Sequence, residues 1–136
     1  MTTQTQLDLV TTLLKHERAD ASDDRAAAPR VLDKMCAQLV PIIGDAGIVA
    51  VFVRSAVTAK AQCTALHGLV VTIDSVDAVG AKVRDHFATV KDTEVAECAV
   101  ALCAAFVSLM SRLIGSSLTT QLIQRAWPEV ELKESP

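Results

Sequence analysis

The chain is 136 residues long, 51% hydrophobic and only 3% aromatic, with no Tyr, no Asn and five Gly. Such a length fits one domain with a single core, and the composition argues against all-β folds, which draw on hairpin-turn residues, and against base-stacking surfaces, which draw on aromatics. Sixteen acidic against thirteen basic residues leave a net charge of −3, thinly spread, so neither a polyanion nor a nucleic-acid partner is expected.

Thr5 to Arg18 place Leu7, Val10, Leu13 and Leu14 on one stripe, with Leu9 at its edge, and predict a first helix. His16, Glu17 and Arg18 fall at its polar end. The next ten residues, 19–28, hold Asp20, Ser22, Asp23, Asp24, Arg25 and alanines without apolar periodicity. They read as a flexible linker, so the first helix is expected to pack loosely or on a partner. This sets 1–28 apart from a bundle core, 29–128, and a charged tail, 129–136.

Pro29 suits the first turn of a second helix, in which Leu32, Met35, Cys36, Leu39, Ile42 and Ile43 follow at helical steps. A stop or kink is expected at Pro41, then a break at Gly44 and an N-cap at Asp45. The third helix, Ala46 to about Gln62, is apolar around much of its circumference, through Ile48, Val49, Val51, Phe52, Val53, Ala56 and Val57. Residues 63–73 contain Leu69, Val70, Val71 and Ile73 after Gly68 without helical spacing and read as an extended buried connection. Asp74 or Ser75 caps a fourth helix with Val76, Val79, Val83, Phe87 and Val90 on one face.

Asp92 or Thr93 caps a fifth helix, where Val95, Ala99, Leu102, Phe106, Leu109 and Leu113 form a core stripe. Its other faces carry small residues that let a second helix approach. Gly115 ends it, and Ser116 caps a sixth helix that stops at Trp127 before Pro128. The reading is an all-α, compact bundle of five or six helices with an extended connection near residues 63–73, helices three and five being central.

The run from Val95 to Ile114 holds only two charges, Glu97 and Arg112, but is rich in Ala and Cys and interrupted by serines, and Ile42 to Val57 carries Asp45 and Arg54. No membrane span is expected. The N-terminus lacks a basic region followed by an apolar run, so the expectation is a cytoplasmic protein. Cys36, Cys63, Cys98 and Cys103 form no CxxC pair and read as reduced, buried thiols.

No catalytic, cofactor or metal signature is present. His16 reads as solvated, His67 close to Cys63 is a weak candidate for a nucleophile pair, and His86 beside Asp85 reads as a histidine satisfied by a backbone carbonyl. The Asp20, Ser22, Asp24 spacing starts like a calcium loop, but Arg25 stands in place of its glycine and Val31 in place of its glutamate. Neither HExxH nor paired CxxC occurs, and Gly44-Asp45-Ala46-Gly47 is too short for a phosphate cradle.

The segment from Leu109 to Glu129, with Ile114-Gly115, Leu118-Thr119 and Ala126-Trp127-Pro128 in that order, resembles the ending of an uncharacterised family of small bacterial all-helical proteins. Leu39 to Arg54, with its Ile-Gly-x-Ala-Gly turn, is similar to that family's middle, and the two segments cover roughly a quarter of the chain. The resemblance implies a shared helical fold and carries no activity, substrate or site residue. Physically, Gly115, Ser116 and Trp127 read as a structural lock: a turn, a cap and a large buried ring.

The functional expectation is a non-enzymatic bacterial interaction or regulatory module that associates with itself or with a protein partner through its first and third helices. The alternative is a carrier or sensor of an apolar small molecule, in a pocket bordered by Phe52, Leu102 and Phe106.

Overall fold

A computed structural model describes residues 3–18, 24–69 and 75–130. They form five α-helices and one short 3-10 turn: α1 Thr3–Arg18, α2 Asp24–Gln62, η1 Thr64–Leu66, α3 Asp77–Phe87, α4 Asp92–Ile114 and α5 Ser116–Ala126. The protein is all-α, and these elements pack as one bundle. α2 touches every other element, and α4 touches α1, α2, α5 and η1.

α2 joins the second and third helices expected from the sequence. It runs on through Pro41 and breaks at Gly44, whose φ of 75° and ψ of 169° divide it into two arms, 24–43 and 45–62. That backbone region is close to glycine-only, so the break falls where the chain has no Cβ rather than where it lacks an N–H. The helix also begins earlier than Pro29. Alanine is the strongest helix former, and Ala27 and Ala28 are fully buried, so residues 24–28 of the expected linker are a helical turn. The Arg25 guanidinium holds this turn in place, donating to the Phe87 carbonyl at 2.5 Å and pairing with the Asp92 carboxylate. Residues 19–23 lie outside the described residues.

α1 is firmly docked, against the expectation of a loose first helix. Val10, Leu13, Leu14 and Glu17 sit on one helical stripe and are all buried, packed toward α2 and α4. Its last turn carries Lys15 and Arg18, cations where the helix dipole favours them.

The connection after α2 opens with an extended Cys63 and then, over Thr64–Leu66, a helical turn where an extended run was expected. Leu66 N–H to Cys63 carbonyl (3.1 Å) and His67 N–H to Thr64 carbonyl (3.0 Å) close η1 with Leu66 buried beneath it. Residues 70–73 of that expected connection, and the candidate cap Asp74 after it, lie outside the described residues. Val76 holds the N-cap position of α3 without a side-chain bond, and Lys91 that of α4. α3 instead receives the Asp33 carboxylate from α2, which accepts the Gly80 N–H in its first turn.

α4 is the central helix. Val95, Ala99, Leu102 and Phe106 of its predicted stripe are buried, and so are Cys98, Ala101, Cys103, Ala105 and Val107 on its other sides. Leu113 departs from the prediction at 61% exposure: Met110 is the last buried residue of α4, and in the final turn it is Ile114, not Leu113, that packs on the core. Gly115 then turns the chain at φ 88°, ψ 154°.

Candidate functional site

The three lock residues serve two separate contacts. Gly115 and Ser116 form the junction of α4 and α5, with Gly115 at the N-cap position and Ser116 the first helical residue. The Gly115 carbonyl accepts both the Thr119 N–H (3.1 Å) and the Thr119 hydroxyl (2.8 Å). Trp127, fully buried, reaches the other end of the chain. Its indole N–H donates to Glu17 Oε2 at 2.7 Å, and Lys34 Nζ donates to the same oxygen at 2.5 Å while standing 5.7 Å from the centroid of the indole.

Glu17 is 1% exposed, and a carboxylate there is costly unless its oxygens are paired. Burial pushes its pKa up; the bonds from Lys34 and Trp127 more than reverse this, so the net direction is down. Beside it, His16 is half-buried rather than solvated, its Nε2 2.7 Å from Glu129 Oε1. The sequence did carry a trace of this site. Glu17 lies three residues beyond Leu14 on the apolar stripe of α1, and a lone buried indole requires an acceptor.

The weak catalytic candidates are spent on backbone. His67 Nε2 lies 3.1 Å from the Lys60 carbonyl, and His86 Nε2 lies 2.8 Å from the Ala65 carbonyl. The histidines therefore fasten η1 to α2 and to α3. Among the described residues, no group of three or more His, Cys, Asp or Glu is placed to hold a metal ion.

The reading of four reduced thiols is corrected. Cys63, ahead of η1, is disulfide-bonded to Cys98 of α4, 35 positions away, with a Cα separation of 5.9 Å. No local motif signals a pair that only the packing of α2 on α4 brings together. Cys36 and Cys103 lie outside this bond and are buried. Burial, with a contribution from the Asp33 charge, pushes the Cys36 thiol up to about 12.

Phe52, Leu102 and Phe106, the residues of the expected apolar pocket, are each fully buried in the core cluster. The apolar surface that remains open lies elsewhere. Val40 and Ile42 flank the Gly44 break at 37% and 42% exposure, and Val57 of the second arm reaches 58%. Ala46, Ala50 and Ala61 are exposed and Val53 half-buried. On the opposite side of the same arm, Ile48, Val51, Phe52, Ser55, Ala56 and Ala59 face the core.

Helices Arg25–Gln62 and Asp92–Ile114 are both long and apolar enough to cross a membrane. In α4, 50% of the most apolar eighteen-residue stretch is buried in the bundle, but in α2 only 28% is. The fold and this surface define a helical bundle whose longest helix keeps an apolar side outward. No family model, curated protein or solved structure matches the chain.

Proposed function

We propose that this protein is a non-enzymatic helical module that binds a second copy of itself through the outward side of the second arm of α2. The observation that carries the reading is the outward stripe of exposed Ala46, Ala50 and Val57 with half-buried Val53. Its steps of four, three and four are the spacing of the seam between two packed helices, and its small side chains let a facing helix come close. A helix apolar on both sides has use for a second neighbour.

A symmetric pair needs only one patch that matches itself, which makes a second copy the simplest occupant. A bilayer fits the stretch less well. Asp45 and Arg54 are exposed within it, and each costs roughly 2.5 to 3.5 kcal/mol at the centre of a membrane-spanning helix. At the border of a helix pair both remain in water. α1, whose apolar stripe is used by the core, is set aside as a docking surface. The engagement of His67 and His86 by backbone carbonyls supports a non-enzymatic role.

Sedimentation of the wild-type protein and of Val57→Glu tests the proposal. The expected result is a wild-type dimer at micromolar concentrations and a monomeric variant with an unchanged helical spectrum. A wild-type chain that stays monomeric up to on the order of 100 μM, a concentration at which even weak specific pairing registers, contradicts it. Sedimentation with phosphatidylcholine vesicles without pairing in solution would also contradict it and point to the bilayer.

A further inference from the structure

The two bonded sulfurs have different surroundings. Cys98 is wholly enclosed on α4, whereas Cys63 retains 6% exposure at the head of η1. Their Cα separation of 5.9 Å lies within the range a disulfide spans without backbone movement. The bond closes a 35-residue stretch that contains η1 and α3. Within it, η1 is held by the two histidine bonds to Lys60 and Ala65, and α3 rests on α2. The disulfide therefore adds, to the main-chain link at its far end, a second covalent tie between this segment and the central helix. Of the remaining cysteines, Cys103 is fully enclosed and the Cys36 thiol, in its place on α2, resists ionisation.

We infer that Cys63 and Cys98 form a reversible thiol–disulfide couple, closed by small disulfides of the oxidised-glutathione class, whose state sets how firmly η1 is held against α4 and α3 against α2. Cys63 is taken as the entry sulfur because it is the less enclosed of the two, 6% exposed against 0% for Cys98. Its thiolate attacks one sulfur of the small disulfide; that S–S bond breaks, one thiolate leaves and takes up a proton, and a mixed disulfide remains on Cys63. Cys98 then loses its proton, attacks the Cys63 sulfur and expels the second small thiol. Two cysteine thiols have given up two electrons and two protons, and one small disulfide has become two thiols. Excess small thiol drives the same steps backward. This inference is independent of self-association.

The test equilibrates native wild-type protein in buffers of oxidised and reduced glutathione at graded ratios, unfolds it in acid, alkylates the free thiols and counts them by intact mass. The expected result is two alkylated cysteines at the oxidising end, mapped to Cys36 and Cys103, and four at the reducing end. The same curve should be reached from either direction. Amide exchange across 64–69 and 75–91 should be about tenfold faster in the reduced form, as for a segment that opens locally. Its melting temperature should be lower by about 10 °C, the effect of releasing a closed loop of this length. Four thiols at every ratio, or two at every ratio, overturns the couple. A change in thiol count without a change in exchange or melting overturns its mechanical role.

Discussion

The Trp127 indole N–H donates to Glu17 Oε2 at 2.7 Å, joining the residue that ends α5 to the last turn of α1 across 110 positions of sequence. Lys34 of α2 donates to the same oxygen, so three helices meet at one buried carboxylate. Charge-assisted bonds of this kind are about twice as strong as neutral ones, and here they also cancel the cost of enclosing the charge.

Replacing Trp127 separates ring packing from hydrogen bonding. Trp127→Ala should lower stability by about 3 to 5 kcal/mol in urea unfolding, as expected when a fully buried ring is truncated. Trp127→Phe keeps most of the apolar contact but withdraws the donor, at a cost of about 1 to 3 kcal/mol. A Phe variant as stable as wild type would show that the bond to Glu17 adds nothing.

Acid should loosen the same junction. Burial raises the Glu17 pKa, but the bonds from Lys34 and Trp127 outweigh it, so the folded-state value lies below the ordinary 4.5. A depressed carboxyl pKa contributes stability that is fully present above the unfolded-state value and is lost as pH falls through the folded-state value. Stability measured from pH 6 downward should therefore fall below about pH 4.5, and Glu17→Gln should flatten that limb. An unchanged slope in the variant would remove Glu17 from the account.

The first arm of α2 holds α3 through Asp33 and Gly80. A Cβ on Gly80 would stand 2.3 Å from Asp33 Oδ2, displacing the carboxylate from the Gly80 N–H it accepts. Alanine gains about 1 kcal/mol of helix propensity, against about 1.5 to 3 kcal/mol for a lost bond to a charged group, so Gly80→Ala should be destabilising on the order of 1 kcal/mol. In an Asp33→Ala background the same change should become neutral or stabilising. A double-mutant cycle showing simple additivity would contradict this contact.

Gly44 and Gly115 should each resist alanine for a backbone reason alone. Both have positive φ, and a Cβ at either meets nothing within 4 Å. Each substitution should cost about 1 to 3 kcal/mol of strain in thermal or chemical unfolding. A cost near zero at Gly44 would show that the two arms of α2 do not depend on this break.

Local patterns reached the helices well and the long-range ties poorly. The apolar run of α4, the break at Gly44 and the turn at Gly115 were all legible, because periodicity and glycine are properties of neighbouring residues. The start of α2 was hidden because Ala27 and Ala28 carry little hydrophobic signal, although both are fully buried. Leu113 continued the spacing of the stripe, but in that last turn Ile114 takes the place on the core. The Trp127 contact with Glu17 and the Cys63–Cys98 bond join residues 110 and 35 positions apart, and no local motif pairs the two partners of either, although the place of Glu17 on the apolar stripe of α1 was a trace of the first. The exposed side of α2 was legible only as an excess of apolar residues; which of them face outward followed from the packing.

Native mass spectrometry on protein purified without denaturant tests self-association most directly, because one spectrum reports copy number and any retained mass. The account predicts a dimer without an added mass, converted to monomer by Val57→Glu. A bare monomer, or a reproducible apolar adduct on a monomer, would contradict it, and the adduct would turn attention to the core around Phe52, Leu102 and Phe106.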